Sequence, residues 1–598
     1  MDWKPRAFRP PGPNTGRPDN VIGALVRKSR QVIKDPVLRK WLIGRMLGEN
    51  PPTPAFQAHR PPYLAPSSGA RPAPSSSHNR NDQRQSDPPI TLPLLTLPLA
   101  GMDLPIEPTT VSGLFRKSFT DTETLLSLQR FAWLPLLEYK IDPAWVEALW
   151  AAWVAAHGTP DDGWAWHPYT AAERAINILD YGRTNGLPGD RGETAAILGR
   201  HAHVIADGLE YGGEHNTSNH LANNGRGLYR LGLALDSAMD LNWAADMGRD
   251  ILLNEAERVF LASGVLREGS SHYHLLYTQR YIDVYLAARA QGRPEANDFR
   301  AIAERALGVL PHLLMPGGFP LIGDISPDSP PSYLSGLLAH DAVGWAASLG
   351  EDDLAHVGEM KESAQRSATD TLQGDGWLRH DHGPWSALWY VSPQGWPPMP
   401  GHAHQDCGSF ELHFGTTRVI VDPGRGSYEN NAGAAAYCSA EAHNLLTIDS
   451  AAPYPDNRPY YDDRFRTRTC SEAPRTEVTP GAVTLHMDGF SRLKSTGTVT
   501  RRWRFEDNRV VIADQVAGNH RARLDRHLHV CHPLSRDGAA VVVEADGRRF
   551  KIAGSDTAPT ITPTEIWRQY GKSHPGSRLS FTDTAGLPWS GELSIEAL

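Results

Sequence analysis

The chain has 598 residues, a formal net charge of −9, 40% hydrophobic and 21% charged residues. That length exceeds what one hydrophobic core supports and predicts two or three domains of ordinary globular composition. The acidic balance, with a pI near 6.3, speaks against a nucleic-acid binder, which carries a basic footprint, yet leaves room for a polyanion held in a local basic cleft.

Residues 1–20 are rich in Pro, Arg and Gly and read as disordered. Residues 21–48 form a basic amphipathic stretch, expected as a helix on the protein body rather than on a membrane surface. Residues 49–88 carry the Pro, Ser, Asn and Gln of a linker. No apolar run reaches the ~18 residues of a membrane span. Prolines and charges stand where the apolar core of a signal peptide would lie. A cytoplasmic location is the expectation, or a periplasmic one if the true start lies elsewhere.

From about 120 to 370 apolar residues recur at helical spacing, as in DPAWVEALWAAWVAAHG and NWAADMGRDILLNEAERVFLASG, and many segments end at Gly. ANDFRAIAERALGVLPHLL and PSYLSGLLAHDAVGWAASLG continue the series. Near Trp377 the period changes to two: WSALWYVSP, GSFELHFGTTRVIVDPG and GTVTRRWRFEDNRVVIADQV alternate between turns. The expected division is an arm over 1–90, an incomplete (α/α) toroid over 91–375 and an antiparallel β-sandwich over 376–598. Cys407, Cys438, Cys470 and Cys531 contain no CxxC pair, so free thiols are expected.

Four clusters can carry chemistry. EHNTSNHLANNGRGLYRLG gathers Asn216, Asn219, His220, Asn223, Asn224 and Arg226 where a helix begins. One N-cap needs one Asn, so an adjacent Asn and His could instead donate hydrogen bonds to a substrate carboxylate. In REGSSHYHLLYTQRYIDVYLAARAQG, Tyr273, Tyr277, Tyr281 and Tyr285 lie near one helix face. Most of these read as packing, but Tyr273 stands at the helix start beside His272, His274 and Glu268. In PPMPGHAHQDCGSFELHFGTTRVIVDPG, His402 and His404 share a face if the chain is extended, and a hairpin can return Asp422 to His404. His443 opens the next strand. His404, Asp422 and His443 make a two-His, one-carboxylate set suited to zinc, whereas calcium prefers more oxygens.

Taken in order, Asn219-His220, REGSSHYH, GHAHQDCGSF, VIVDPG and His443-Asn444 resemble the heparinase II/III family of polysaccharide lyases, including its alginate-lyase relatives. WAWHPYTAAERAINILDYG resembles the family's first toroid helices. The resemblance implies β-elimination on an acidic, uronate-containing polysaccharide at a site between toroid and sandwich. It implies Tyr273 and His402 as catalytic groups, with Asn219 and His220 neutralising the uronate carboxylate. It also implies His404, Asp422 and His443 as ligands of a structural divalent metal, most naturally Zn2+. Asn223, Arg226, Arg267, Glu268 and His274 are the expected substrate-binding residues; Arg280 is another cation near the expected site. A homo-oligomer is compatible with the sequence. Two alternatives stay open: a toroid glycoside hydrolase using Glu268 with Asp161 or Asp162 as its two carboxylates, and a non-catalytic glycan-binding protein on the same fold.

Overall fold

The computed structural model describes residues 47, 60–64, 92–212, 217–395, 401–429, 432–455, 472–493, 495–555 and 557–598. Nearly all of the expected N-terminal arm, with Asn216 and Cys470, lies outside them.

A hairpin of β1 (Leu95–Leu99) and β2 (Met102–Ile106) precedes the helices. Acidic caps start several of these by accepting otherwise unpaired N–H groups. Asp121 caps α1 (Thr122–Gln129), Asp142 caps α2 (Pro143–His157) and Asp190 caps α4 (Arg191–Asp207), which follows α3 (Pro168–Asn185). Next come α5 (Asn219–Met239), α6 (Asn242–Val259), α7 (Ser271–Ala290) and α8 (Ala296–Leu307). Successive helices pack as hairpins, α3 on α4, α5 on α6 and α7 on α8, and α5 also contacts α3, α4 and α7. The result is an incomplete (α/α) toroid with a tryptophan-rich core that includes Trp133, Trp145, Trp150, Trp153 and Trp166. No helix among the described residues is long and apolar enough to cross a membrane.

The helical series predicted through PSYLSGLLAHDAVGWAASLG breaks into a four-residue helix, Pro331–Leu334, and two 3-10 turns. Gly344 lets the chain fold back against that short helix. It sits at φ +59°, and a Cβ there would lie 2.2 Å from the Tyr333 carbonyl oxygen.

The helices end in α9 (Glu351–Ser363) and α10 (Thr369–Gly374), and the sheets begin three residues later. β3 (Trp377–His382), β4 (Trp385–Tyr390), β5 (Ser409–Phe414) and β6 (Thr417–Ile420) form a four-stranded antiparallel sheet in sequence order. β8 (Arg475–Thr479), β9 (Ala482–Met487), β10 (Thr496–Phe505), β11 (Arg509–Gly518), β13 (Leu534–Asp537), β14 (Ala540–Ala545), β15 (Arg548–Gly554) and β18 (Trp589–Ala597) form an eight-stranded sheet centred on β18 and β11. A third sheet pairs β12 (Arg521–Val530) with β7 (Leu446–Ile448) and with β17 (Lys572–Gly586), which in turn pairs β16 (Thr560–Gln569). Trp389, Phe410, Trp503 and Leu524 from these three sheets share one apolar core, the interior of the sandwich.

The tip of the β16–β17 hairpin fastens sandwich to toroid. The Tyr570 hydroxyl donates to the Asp121 carboxylate at 3.1 Å and accepts from the Tyr428 backbone N–H at 3.1 Å.

Candidate active site at the seam of toroid and sandwich

Tyr273 sits in the first turn of α7, whose N-cap Ser270 accepts from the Tyr273 N–H at 3.1 Å. Its ring stacks on His402 from the sandwich side, with centroids 3.6 Å apart and planes within 16°. Asn219, the first residue of α5, reaches the same histidine: its Nδ2 lies 2.9 Å from His402 Nε2. The Glu268 carboxylate fixes that amide, accepting from the Asn219 backbone N–H at 2.7 Å and from Nδ2 at 3.0 Å. A carboxylate only accepts, so the Nδ2 assignment is forced, and its second hydrogen points at His402. Glu268 also places an anion at the positive end of α5.

His220 follows on the same helix start. Its Nδ1 is 2.8 Å from Glu210, whose other oxygen accepts from Asn224 Nδ2 at 3.0 Å. Burial opposes the Glu210 charge, but His220 and His167 outweigh it and hold the carboxyl at about 2. In return, and also against burial, Glu210 raises the His220 pKa and favours the imidazolium. Burial raises the Tyr273 phenol well above its ordinary range, so the resting group carries its proton.

Three further residues complete the cluster. Asp324 Oδ2 lies 3.1 Å from His402 Nδ1, and its Oδ1 lies 2.8 Å from His404 Nε2. Arg425 donates to both oxygens at 3.0 and 3.2 Å. Burial works against the Asp324 charge, but the bonds from His402 and His404 together with Arg425 hold its carboxyl well below the usual range. Tyr428, under the Arg425 guanidinium, places its hydroxyl 3.2 Å from that of Tyr273 and donates to the Ile325 carbonyl at 2.9 Å. The loop that carries Asp324 is pinned by Gly323. At φ +79°, a Cβ there would lie 2.8 Å from the Gly269 carbonyl oxygen and 2.9 Å from that of His402.

Behind His402 lies a group able to hold a cation. Ligand atoms of His404, Asp406 and His443 fall within 4.8 Å of one another, and all three residues are buried. His404 Nδ1, His443 Nε2 and both Asp406 oxygens are buried with no hydrogen-bond partner. Such orphaned atoms are rare unless something unseen binds them, and two imidazole nitrogens with one carboxylate fit a divalent cation. Asp422, the predicted carboxylate ligand, stands elsewhere: Oδ2 contacts His443 Nδ1 at 2.8 Å, on the ring edge away from the orphaned Nε2, and Oδ1 accepts from the Gly424 N–H at 3.0 Å. It would orient the His443 ring if that group held a cation, as the outer partners of metal-bound histidines do. The HxH segment is irregular rather than extended, and Asp406, two residues beyond His404, joins the cluster that Asp422 was expected to complete.

The structure therefore gathers Tyr273, Asn219 and Glu268 around His402, with His220 beside Asn219. It does not bring the other expected substrate ligands there. Arg226 is buried in ion pairs with Asp283 and Glu173 at 2.7 and 3.4 Å. His274 has its Nδ1 3.3 Å from the Leu266 N–H and its Nε2 3.1 Å from the Ala306 carbonyl, so both ring nitrogens face backbone. Asn223 is wholly buried. Arg267 donates to the Thr217 carbonyl at 2.7 Å, and Arg280 to Tyr169, Tyr277 and Glu173, each at 2.8 Å. Tyr277 and Tyr281 are buried packing residues whose hydroxyls donate to the carbonyls of Asn219 and Leu252. Asp161 and Asp162 are exposed, and Asp161 accepts from the Gly163 N–H. Sequence reasoning missed Glu210, Asp324, Asp406, Arg425 and Tyr428. Only Asp406 had a signal within its own motif, the alternation His402, His404, Asp406.

Comparison with known proteins agrees with this architecture. Residues 365–590 match the family model described as Heparinase II/III-like, C-terminal. No curated protein sequence matches the chain. Among solved structures, a crystal structure of heparinase III aligns with a TM-score of 0.60 at 14% identity, covering 81% of this chain and 79% of that one. The heparan sulfate lyase HepC from Pedobacter heparinus aligns with a TM-score of 0.52 at 15% identity, covering 81% and 78%. At such identities the likeness speaks for the fold. The chain thus carries a heparinase II/III-like C-terminal domain over residues 365–590 and, with its helical half, has the fold of heparinase III.

Proposed function

We propose that the protein is a polysaccharide lyase that cleaves a uronate-containing acidic glycan by β-elimination and leaves an unsaturated uronate end. One observation carries this reading: a protonated tyrosine stacked on an imidazole whose Nε2 meets an amide donor, with a second, charge-favoured imidazole on the next residue. The named relatives, heparinase III and heparan sulfate lyase, act on polymers of this kind.

The proton to be removed is the one on C5, beside the uronate carboxylate. It becomes acidic enough to leave only if the charge developing on the carboxylate oxygens is stabilised. Asn219 and the imidazolium of His220 are the donors for that task. The Asn219 hydrogen now on His402 Nε2 is the one a substrate carboxylate would take, which bares the Nε2 lone pair. His402 then accepts the C5 proton, the C4–O4 bond breaks with formation of the C4=C5 double bond, and Tyr273 protonates the departing O4. Tyr428 accepts from the Tyr273 hydroxyl and steadies it.

His404, Asp406 and His443 would hold a divalent ion, Zn2+ by its preference for nitrogen and few oxygens, and its contribution would be to stiffen the loop that carries His402. Arg130, Arg280 and Arg425 near the site are engaged by carboxylates, Arg130 by Glu123 and Asp328, Arg280 by Glu173 and Arg425 by Asp324, while Arg267 donates to the Thr217 carbonyl. This favours a polymer recognised by its carboxylates over a heavily sulfated one.

The test is incubation with alginate, sulfated and desulfated glycosaminoglycans and bacterial acidic polysaccharides, following unsaturated-uronate absorbance. Activity in the wild type and its loss in Tyr273→Phe is the expected result. New reducing ends without absorbance would instead identify a hydrolase, and the reading would fall.

A further inference from the structure

We infer that Asp324 is a positioning residue whose single carboxylate sets the tautomers of two histidines with different tasks, His402 at the reaction centre and His404 at the cation site. The half that concerns His402 rests on the proposed lyase reading; the half that concerns His404 does not.

The argument is one of donors and acceptors. Glu268 Oε2 takes one Asn219 Nδ2 hydrogen and lies 3.4 Å from His402 Nε2, whereas the amide's other hydrogen meets that nitrogen at 2.9 Å; the shorter contact makes Nε2 the acceptor. The ring proton of neutral His402 is then on Nδ1, where Asp324 Oδ2 receives it at 3.1 Å. On the other side, Asp324 Oδ1 stands 2.8 Å from His404 Nε2 and receives that proton. Nδ1 of His404 is left as the nitrogen able to ligate, and it is the atom that is buried without a partner. Two imidazoles are thereby oriented in opposite senses by the two oxygens of one group.

The carboxylate is itself held rigidly. Its backbone N–H donates to the His402 carbonyl at 2.9 Å, its carbonyl accepts from Ser270 Oγ at 2.7 Å, and Arg425 spans both oxygens. Ser270 is also the cap of the helix that presents Tyr273. Asp324 consequently touches the supports of the proton donor, the proton acceptor and the cation ligand, without being placed to touch substrate.

Asp324→Asn is the discriminating variant. An amide offers one acceptor oxygen and one donor nitrogen, so it can satisfy only one of the two imidazole N–H groups. The other ring must turn or change tautomer. Three readouts are expected on the full chain. Zn2+ affinity, measured by competition with a chromogenic chelator, falls ~10–100-fold, as for loss of a partner behind a metal-bound histidine. On whichever polyuronate the wild type cleaves, kcat falls ~10²-fold or more while KM stays within a few fold, as for loss of an acid–base function rather than of binding. In ¹⁵N imidazole spectra of the Zn2+-loaded wild type, assigned with His402→Gln and His404→Gln, His402 is protonated on Nδ1 and His404 on Nε2. The spectra need no Asp324 variant, so they decide the matter even if Asp324→Asn does not fold. His402 protonated on Nε2, wild-type Zn2+ affinity in Asp324→Asn, or a rise in KM with kcat unchanged would each overturn the inference. If the wild type cleaves no polymer, the lyase reading fails by itself, and the spectra and Zn2+ affinity still judge Asp324.

Discussion

Stripping a divalent cation from the His404–Asp406–His443 cluster exposes the energetics of that site directly. Without an ion, four buried atoms have no partner: His404 Nδ1, His443 Nε2 and both Asp406 oxygens. Leaving a buried polar atom unsatisfied costs ~1–3 kcal/mol, with more for charged groups, so the four amount to at least roughly 4 kcal/mol. A domain of 150–250 residues shifts by ~2–4 °C per kcal/mol, which puts the loss at roughly 8–16 °C for the sandwich half. The assay is calorimetry or intrinsic fluorescence melting of protein treated with chelator and then reloaded with Zn2+. Asp406→Asn should abolish the difference between the two forms. Asp422→Asn should keep it at higher Zn2+, since Asp422 contacts His443 Nδ1 rather than the orphaned edge. Coincident melting of stripped and loaded wild type, or a full Zn2+ shift in Asp406→Asn, would refute the reasoning.

Other expectations concern the reaction centre. Tyr273→Phe retains the stack on His402 but loses the proton donor, so kcat should fall ~10²–10⁴-fold with KM little changed; a purely KM effect would remove Tyr273 from the chemistry. Glu210 raises the His220 pKa, so the imidazolium is lost only as pH climbs through that raised value. Glu210→Gln should therefore draw the alkaline limb of the kcat/KM profile to lower pH, and an unmoved limb would exclude imidazolium His220 from the mechanism. Gly323→Ala forces a Cβ against the carbonyls of Gly269 and His402 at a positive φ. It should destabilise the seam by ~1–3 kcal/mol and depress activity; wild-type melting and turnover would show that the loop gives way freely.

Much of the fold was legible because it is written in periodicity. GTVTRRWRFEDNRVVIADQV alternates through β10 and β11 around the turn at 506–508, and NWAADMGRDILLNEAERV is one helix with a buried face. PSYLSGLLAHDAVGWAASLG misled because its apolar content is helical while Gly344 imposes a left-handed turn. For the site, the motif residues were legible and their long-range partners were not. Tyr273, His402 and Asn219 stand in recognisable clusters. Asp324 is 78 residues from His402 along the chain, in a loop with no periodicity. Arg226 and His274 erred in the opposite way. His274 is next to Tyr273, but neighbouring side chains on a helix point in different directions, and its ring faces backbone; Arg226 shares a face with Asn219 but lies two turns, roughly 10 Å, further along the helix, where it pairs with Asp283.

The arrangement also explains how the proposed proton acceptor and proton donor, which come from different halves of the molecule, are held together. A tyrosine on a helix and a histidine on an irregular loop would wander independently if each relied on its own element. Here the segment 320–326 lies between them. Ser271 N–H donates to the Ile322 carbonyl at 3.0 Å, Ser326 N–H reaches His272 Nδ1 at 3.0 Å, and Asp324 N–H reaches the His402 carbonyl at 2.9 Å. One short stretch of main chain thus fixes both the start of α7 and the histidine loop, and the 3.6 Å stack of Tyr273 on His402 follows from that shared support. Placement at this precision is what general acid–base chemistry demands of its groups, and it makes the 320–326 loop, which contributes no reacting atom, as sensitive to substitution as the residues it holds.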